Sequence, residues 1–240
     1  MKTFYVPDLS DKRVLYAVDR LTQLGYRQAD TLNTADFVLL GVNPDKAHLT
    51  DSVPIFAGNI SGNNIFDYTK EEAFATKNAY LTAEATVAKM ITDFDTSIIG
   101  TRVLICGYGR ISKALHYYLL PFTRNITICA RDEVQRCNAA MHGANTINIS
   151  DLLLPSEYDF IINTIPHPIF NKNELSAVND NCIILDLASF PGGVDKHIAK
   201  AQCRTLIEAR GLPALYSPKS AGYVVADTIH SMISEGRVRV

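Results

Sequence analysis

The sequence has no excess of charge of either sign, no paired-cysteine spacing, no long apolar run and no repeated or low-complexity tract. Each absence removes a class of function. Lysine and arginine number 23 against 25 acidic residues, giving a net charge of -2 and a pI near 6.3. Without a basic run or an aromatic-interleaved Lys/Arg stripe, the electrostatic footprint of a nucleic-acid binder is missing, and a small-molecule substrate is expected instead. The five cysteines are odd in number, lack CxxC spacing and fall mostly inside apolar runs such as VLIC and CIIL. They read as reduced core residues, and Cys106 as a buried strand residue rather than a nucleophile; no metal site is expected. No apolar run reaches the ~20 residues needed to cross a bilayer, and MKTFYVPDLSDKR lacks the residue order of a signal peptide, so a cytoplasmic protein without membrane contact is expected.

What is there is a chain of 240 residues, 47% hydrophobic, long enough to bury a core and to form two modest domains. The expected fold class is α/β: a Rossmann doubly wound parallel sheet preceded by a smaller α/β lobe and followed by a C-terminal helix. Residues 1–95 are expected to form the small lobe and a connecting helix, 96–212 the dinucleotide domain, and 213–240 a terminal helix that can return to the first lobe. In DKRVLYAVDRLTQLG, Val14, Leu15, Val18, Leu21 and Leu24 recur at helical spacing, with Ser10 or Asp11 placed to cap. Thr3 to Val6, Phe37 to Gly41 and Pro54 to Ala57 read as short strands. TKEEAFATKNAYLTAEATVAKMITDFD has the composition of one helix or a broken pair. Thereafter RVLIC, NITICA, NTINI, YDFIINTI, NCIILDLA and RTLIEA alternate with helical stretches, and such fully apolar strands imply a parallel sheet covered on both faces.

The strongest local signal is CGYGRIS, directly after the strand Arg102 to Cys106 and directly before a helix. Gly107 permits the tight turn, and Gly109 lets a pyrophosphate approach the helix N-terminus. Ser112 stands where a third small residue allows helix and strand to pack. Tyr108, Arg110 and Ile111 complete the candidate phosphate loop. Where an NAD enzyme ends its second strand with Asp or Glu, this chain has Ala130 and Arg131. A guanidinium can pair with a 2′-phosphate, so NADP(H) is preferred, with NAD(H) the alternative if Asp132 or Glu133 reaches the ribose. Ligands of open parallel sheets bind beyond the carboxyl ends of the strands. Thr164, Pro166, Asp186 and Ala188 are therefore further cofactor candidates, while Ser189 and Gly192 lie in a turn expected near the substrate.

From Val103 to Ile233 the chain resembles the A-subunit family of dipicolinate synthase. The resemblance is carried by GYGRIS, the AR pair, INTIP at Ile162 to Pro166, LDLASFPGGVD at Leu185 to Asp195, GLP at Gly211 to Pro213 and PKSAG at Pro218 to Gly222. NAYLTAEATV at Asn78 to Val87 adds to it. It implies a two-lobed enzyme using NADP(H) in the last step to dipicolinic acid, the calcium-chelating diacid of bacterial spores, and partnered by a flavoprotein-like B subunit. The first lobe departs from the family, having VPDLSDKR in place of a GGDAR-like turn. A substrate with two carboxylates needs donors, and Thr82, Ser189, Lys219 and Ser220 are the best placed by motif. For proton transfer the candidates are Glu84, His167 and Lys219. The bland alternatives are an exposed helix residue for Glu84 and a solvated loop residue for Lys219, while Asp186 either orients Lys219 or caps the turn after its strand. A homodimer is expected by analogy with this architecture.

Overall fold

A computed structural model describes residues 1–95, 97–152 and 157–240, apart from the side chain of Lys46. Thr96, where the second lobe was expected to begin, lies outside the described residues. In chain order the elements are β1 (Thr3–Tyr5), α1 (Lys12–Gln23), β2 (Arg27–Gln28), β3 (Phe37–Val42), β4 (Ile55–Gly58), β5 (Ile65–Asp67) and α2 (Glu72–Thr92). There follow β6 (Val103–Cys106), α3 (Arg110–Leu119), β7 (Ile126–Cys129), α4 (Glu133–Met141), β8 (Asn145–Ile147), β9 (Phe160–Asn163) and α5 (Lys172–Ala177). The last are β10 (Ile183–Asp186), α6 (Lys196–Ala201), β11 (Thr205–Glu208), α7 (Leu212–Tyr216) and α8 (Pro218–Ser234). The chain divides into two compact units, one of Met1–Leu81 with Pro213–Val240 and the other Thr82–Leu212.

The first unit holds a parallel sheet of order β2-β1-β3-β4-β5. Its central strands are buried at Phe37–Leu40 and Ile55–Gly58. Val14, Ala17 and Leu21, spaced for one helical face, bury α1 in the same core as Val225, Ala226, Ile229, Met232 and Ile233 of α8. Gly222 makes the α1–α8 contact feasible, since a Cβ there would stand 2.4 Å from the Arg13 carbonyl oxygen and 2.7 Å from Tyr16 Cβ. The glycine of PKSAG therefore has a packing reason. An Arg20–Asp227 ion pair of 2.8 Å crosses the same seam.

The second unit holds a parallel sheet of order β11-β10-β9-β6-β7-β8. This is the doubly wound dinucleotide-binding order, with the reversal between β6 and β9. VLIC, ITIC and FIIN are buried throughout, as strands covered on both faces must be. The connector is one helix of 21 residues, and the unit boundary falls inside it at Leu81/Thr82 rather than at 95/96. The cause is packing: Phe74 belongs to the first unit's core, whereas Ala83, Val87 and Met90 belong to the second's.

Candidate functional site

The head of α3 is built by a backbone conformation that only glycine takes cheaply. Gly107 has φ +92°, and its N–H donates to the Cys129 carbonyl at 2.8 Å. A Cβ at Gly107 would come within 2.7 Å of Thr164 Oγ1. That hydroxyl donates to the Cys106 carbonyl at 2.8 Å and lies 2.8 Å from Ser112 Oγ. With the threonine proton engaged, Ser112 is the donor. The serine that replaces the usual small residue thus ties the first turn of α3 to the end of β9, and it is fully buried.

Gly109 caps α3 and supplies no side-chain acceptor to the first-turn N–H groups. A Cβ there would meet nothing within 4 Å. A helix N-terminus with open space before it and no carboxylate of its own suits an anion, through the orphan N–H groups and the helix dipole. At the end of β7, Ala130 is buried and Arg131 exposed. Arg136 Nη1 donates to the Ala130 and Arg131 carbonyls, each at 2.7 Å, and so braces the loop. Asp132 is engaged as the cap of α4, accepting from the Gln135 N–H at 2.8 Å.

Across the strand reversal, β9 and β10 end in a buried polar pair held in direct register, Asn163 and Asp186. Asn163 is wholly buried and Asp186 2% exposed. Asn163 Nδ2 donates to Asp186 Oδ1 at 2.8 Å and to the Ile165 carbonyl at 3.0 Å, while its Oδ1 accepts from the Ile165 N–H at 3.1 Å. Asp186 also accepts from the Ala188 N–H at 3.1 Å and the Gly193 N–H at 2.9 Å. Asp186 thereby caps the turn after its strand. Outside this pair, Arg210 Nε donates to the Ala188 carbonyl at 2.9 Å and Nη2 to that of Pro191 at 3.3 Å.

The structure brings Gly107, Gly109, Ala130, Arg131, Thr164, Pro166, Asp186, Ala188, Ser189 and Gly192 to the carboxyl ends of the second unit's strands or the turns that follow them, with Arg110 and Ile111 in the first turn of α3. Ser189 and Pro166 are exposed there, as is His167. Tyr108 faces inward: its ring is buried and its hydroxyl lies 3.2 Å from His116 Nδ1. Burial pushes the Tyr108 phenol up and the His116 imidazole down, the latter aided by the charge of His142. Glu84 is exposed on α2, and Thr82 is buried one turn from Thr86, which donates to its carbonyl at 2.7 Å. Lys219 and Ser220 belong to the first unit, exposed in the first turn of α8, with the Lys219 ammonium 5.7 Å from the Tyr223 ring centre. The contact with Cys129 and burial push the Cys106 thiol up, in keeping with a core residue.

Sequence reasoning passed over Asn163 as a hub, Arg136 and Arg210 as braces, and the Ser112–Thr164 tie. A signal existed for the first: FIIN and IILD are apolar strands that each close on one polar residue. Among the described residues no cluster of metal-ligating side chains occurs, and no helix is long and apolar enough to cross a membrane. A cavity of about 390 Å³ opens along the sheet face between Leu104, Thr127, Ile147, Ile161 and Phe170, and touches none of the candidate residues.

No family model matches the chain. It is 30% identical over 167 residues to the A subunit of dipicolinate synthase from Bacillus subtilis (strain 168), a match covering 69% of this chain and 56% of that protein. The matched stretch thus spans little more than half the length of this relative. Among solved structures, the dipicolinate synthase A subunit from Bacillus halodurans superposes with a TM-score of 0.84 at 22% identity, over 97% of this chain and 98% of that one. The transhydrogenase from Sinorhizobium meliloti gives a TM-score of 0.78 at 13% identity, over 98% and 94%.

Proposed function

We propose that this chain, which belongs to the A-subunit family of dipicolinate synthase, binds NADP(H) on its second unit and is an oxidoreductase of a dihydrodipicolinate-like cyclic dicarboxylate. The observation that carries the reading is the open head of α3, without a side-chain cap, behind Gly107 and Gly109, together with Arg131 in the loop that follows the unit's second strand. These residues fit the dinucleotide: the helix head takes the diphosphate, and Arg131 takes the 2′-phosphate. Asp132, the nearest carboxylate, is engaged in capping α4, which favours NADP(H) over NAD(H). When bound, the nicotinamide supplies the hydride acceptor or donor. Tyr108, Arg110 and Ile111 form the phosphate loop, Ala130 floors the adenosine side, and Thr164, Pro166, Asp186 and Ala188 shape the nicotinamide side.

For the substrate, the hydroxyls of Thr82 and Ser189 in the second unit are donors to a carboxylate and Gly192 shapes the turn beside Ser189, whereas Ser220 and Lys219, the donors named by motif, belong to the first unit. Glu84 and His167, both exposed, are the groups to move the substrate proton, with Lys219 the third candidate. The reading places the protein in the cytoplasm of a sporulating cell, partnered by a flavoprotein-like B subunit, with a homodimer as its assembly.

Calorimetric titration with NADPH and NADH tests the cofactor. Arg131→Ala should weaken NADPH by about 1.5–3 kcal/mol, the worth of a charge-assisted contact, and leave NADH unchanged. If neither nucleotide binds the unaltered protein, the reading is wrong. Turnover of dihydrodipicolinate-type acids with bound NADP(H) then tests the substrate, and binding without turnover would make the chain a regulatory nucleotide-binding protein.

A further inference from the structure

We infer that Asn163, Asp186 and Arg210 are positioning residues for the nicotinamide half of the dinucleotide, holding the segment Leu187 to Gly193 as a rigid wall beside it. This rests on the NADP(H) reading and adds residues and a role to it.

A doubly wound sheet of this order is two mononucleotide-binding halves meeting at the strand reversal. Here β6, β7 and β8 with the glycine turn form one half, and β9, β10 and β11 the other. The segment after β10 therefore borders the half farther from Arg131. It is fixed from two sides. Within, the Asp186 carboxylate receives the N–H groups of Ala188 and Gly193, at the two ends of the segment, and the amide of Asn163. Without, Arg210 donates to the carbonyls of Ala188 and Pro191 and pairs with Glu208 at 3.4 Å.

Glycines let the segment close over this pair. A Cβ at Gly192, where φ is +88°, would lie 2.7 Å from both Asp186 Oδ2 and Arg210 Nη2. At Gly193 a Cβ would stand 2.2 Å from Asn163 Nδ2. Between these anchors Ser189, Phe190 and Pro191 are exposed, Phe190 to 85%.

Asn163 and Asp186 are too buried to touch a ligand, and their polar atoms are engaged within the protein, so any action on the cofactor passes through the segment they hold. Burying a carboxylate on N–H donors alone is costly, and a well-packed apolar pair would serve stability at least as well. What the network supplies is one conformation of the segment. Its place at the carboxyl edge of the sheet, where ligands bind, gives that conformation a use.

The test compares NADPH with 2′,5′-ADP, which keeps the 2′-phosphate and lacks the nicotinamide half. Asp186→Asn turns an amide N–H₂ toward a backbone N–H and should weaken NADPH about tenfold; Arg210→Ala, which removes only the half-exposed outer brace, should weaken it about threefold. Affinity for 2′,5′-ADP should stay within about twofold in both, and the fluorescence of the bound reduced nicotinamide should shift toward that of the free nucleotide. Should Asp186→Asn not fold, Arg210→Ala decides alone. Equal losses for the two ligands, or unchanged NADPH affinity and fluorescence, would overturn the inference while leaving the cofactor reading intact. An unaltered protein that binds neither ligand overturns both.

Discussion

In both units the first strand leads through a turn into a helix, and the two units treat the head of that helix in opposite ways. In the first unit Asp11 caps α1, accepting from the Arg13 N–H at 2.9 Å and from the Arg13 guanidinium at 2.7–3.1 Å. Gly41 leaves room for it, since a Cβ there would lie 2.9 Å from Asp11 Oδ2. In the second unit Gly109 caps α3 with no side chain, and the space in front is open. The helix dipole is the same in both, but one unit answers it with its own carboxylate, whereas the other has no side-chain cap, as the proposed diphosphate site requires. The same strand–turn–helix architecture thus carries two different helix heads, and the residue at the cap makes the difference.

The sharpest way to break that comparison is to add one methyl group beside each helix head, at Gly107 in the glycine turn and at Gly41 in the neighbouring β3. Gly107→Ala must adopt φ +92° and place Cβ against Thr164 Oγ1 and Ile165. A loss of about 2–4 kcal/mol in urea unfolding is expected, together with loss of NADPH binding. Gly41→Ala meets only the flexible end of Asp11 at under 3 Å, so about 1–2 kcal/mol is expected, with NADPH affinity unchanged. Equal damage to NADPH affinity by both would mean that the two helix heads are not functionally distinct.

A smaller effect follows from deleting the internal anion. Asp11→Ala removes a cap and should cost about 1 kcal/mol of the first unit's stability, without altering NADPH affinity. Burial works against the Asp11 charge, but the Arg13 side chain and the N–H groups of Arg13 and Val42 outweigh it and hold the carboxyl below its ordinary 3.8. A carboxyl depressed in the folded state contributes stability that is present above about 3.8 and lost as pH falls below it. Acid unfolding of the unaltered protein should therefore steepen there, and Asp11→Ala should be less steep. An unchanged acid limb would show that the capping charge contributes nothing.

Much of this was legible in the sequence, for reasons that differ by element. VLIC, ITIC and FIIN read as buried parallel strands because burial on both faces demands uninterrupted apolar residues, and the glycine turn because steric limits on φ leave few alternatives. β2, two residues long and exposed, has no apolar pattern to betray it. α2 serves one core with Phe74 and another with Ala83, Val87 and Met90, so no single stripe marks its extent or the boundary within it. The candidate site could be named from sequence where its motif is local, as at Gly107, Gly109 and Arg131. The Asn163–Asp186–Gly193 network joins residues 23 and 7 apart along the chain, and only strand register brings them together.

The smallest expected effect separates the units by pH. His116 is buried in the second unit, with Nε2 unpartnered and Nδ1 on the Tyr108 hydroxyl. Burial, and then the charge of His142, hold its folded value below the ordinary 6.5. Below 6.5 the unfolded chain takes up a proton that the folded chain refuses, so this contribution is complete above 6.5 and lost as pH falls through it. The Asp11 contribution in the first unit persists until near 3.8. Hydrogen exchange followed from pH 7 downward should therefore show amides of α3 and β6 losing protection before those of α1. His116→Gln keeps a partner for Tyr108 and cannot be protonated, so it should remove the early loss and leave the later one. If α1 opens first, or if the glutamine variant keeps the early loss, the histidine is not its source. The weakness to acid beneath the glycine turn would then have to be sought in the turn itself.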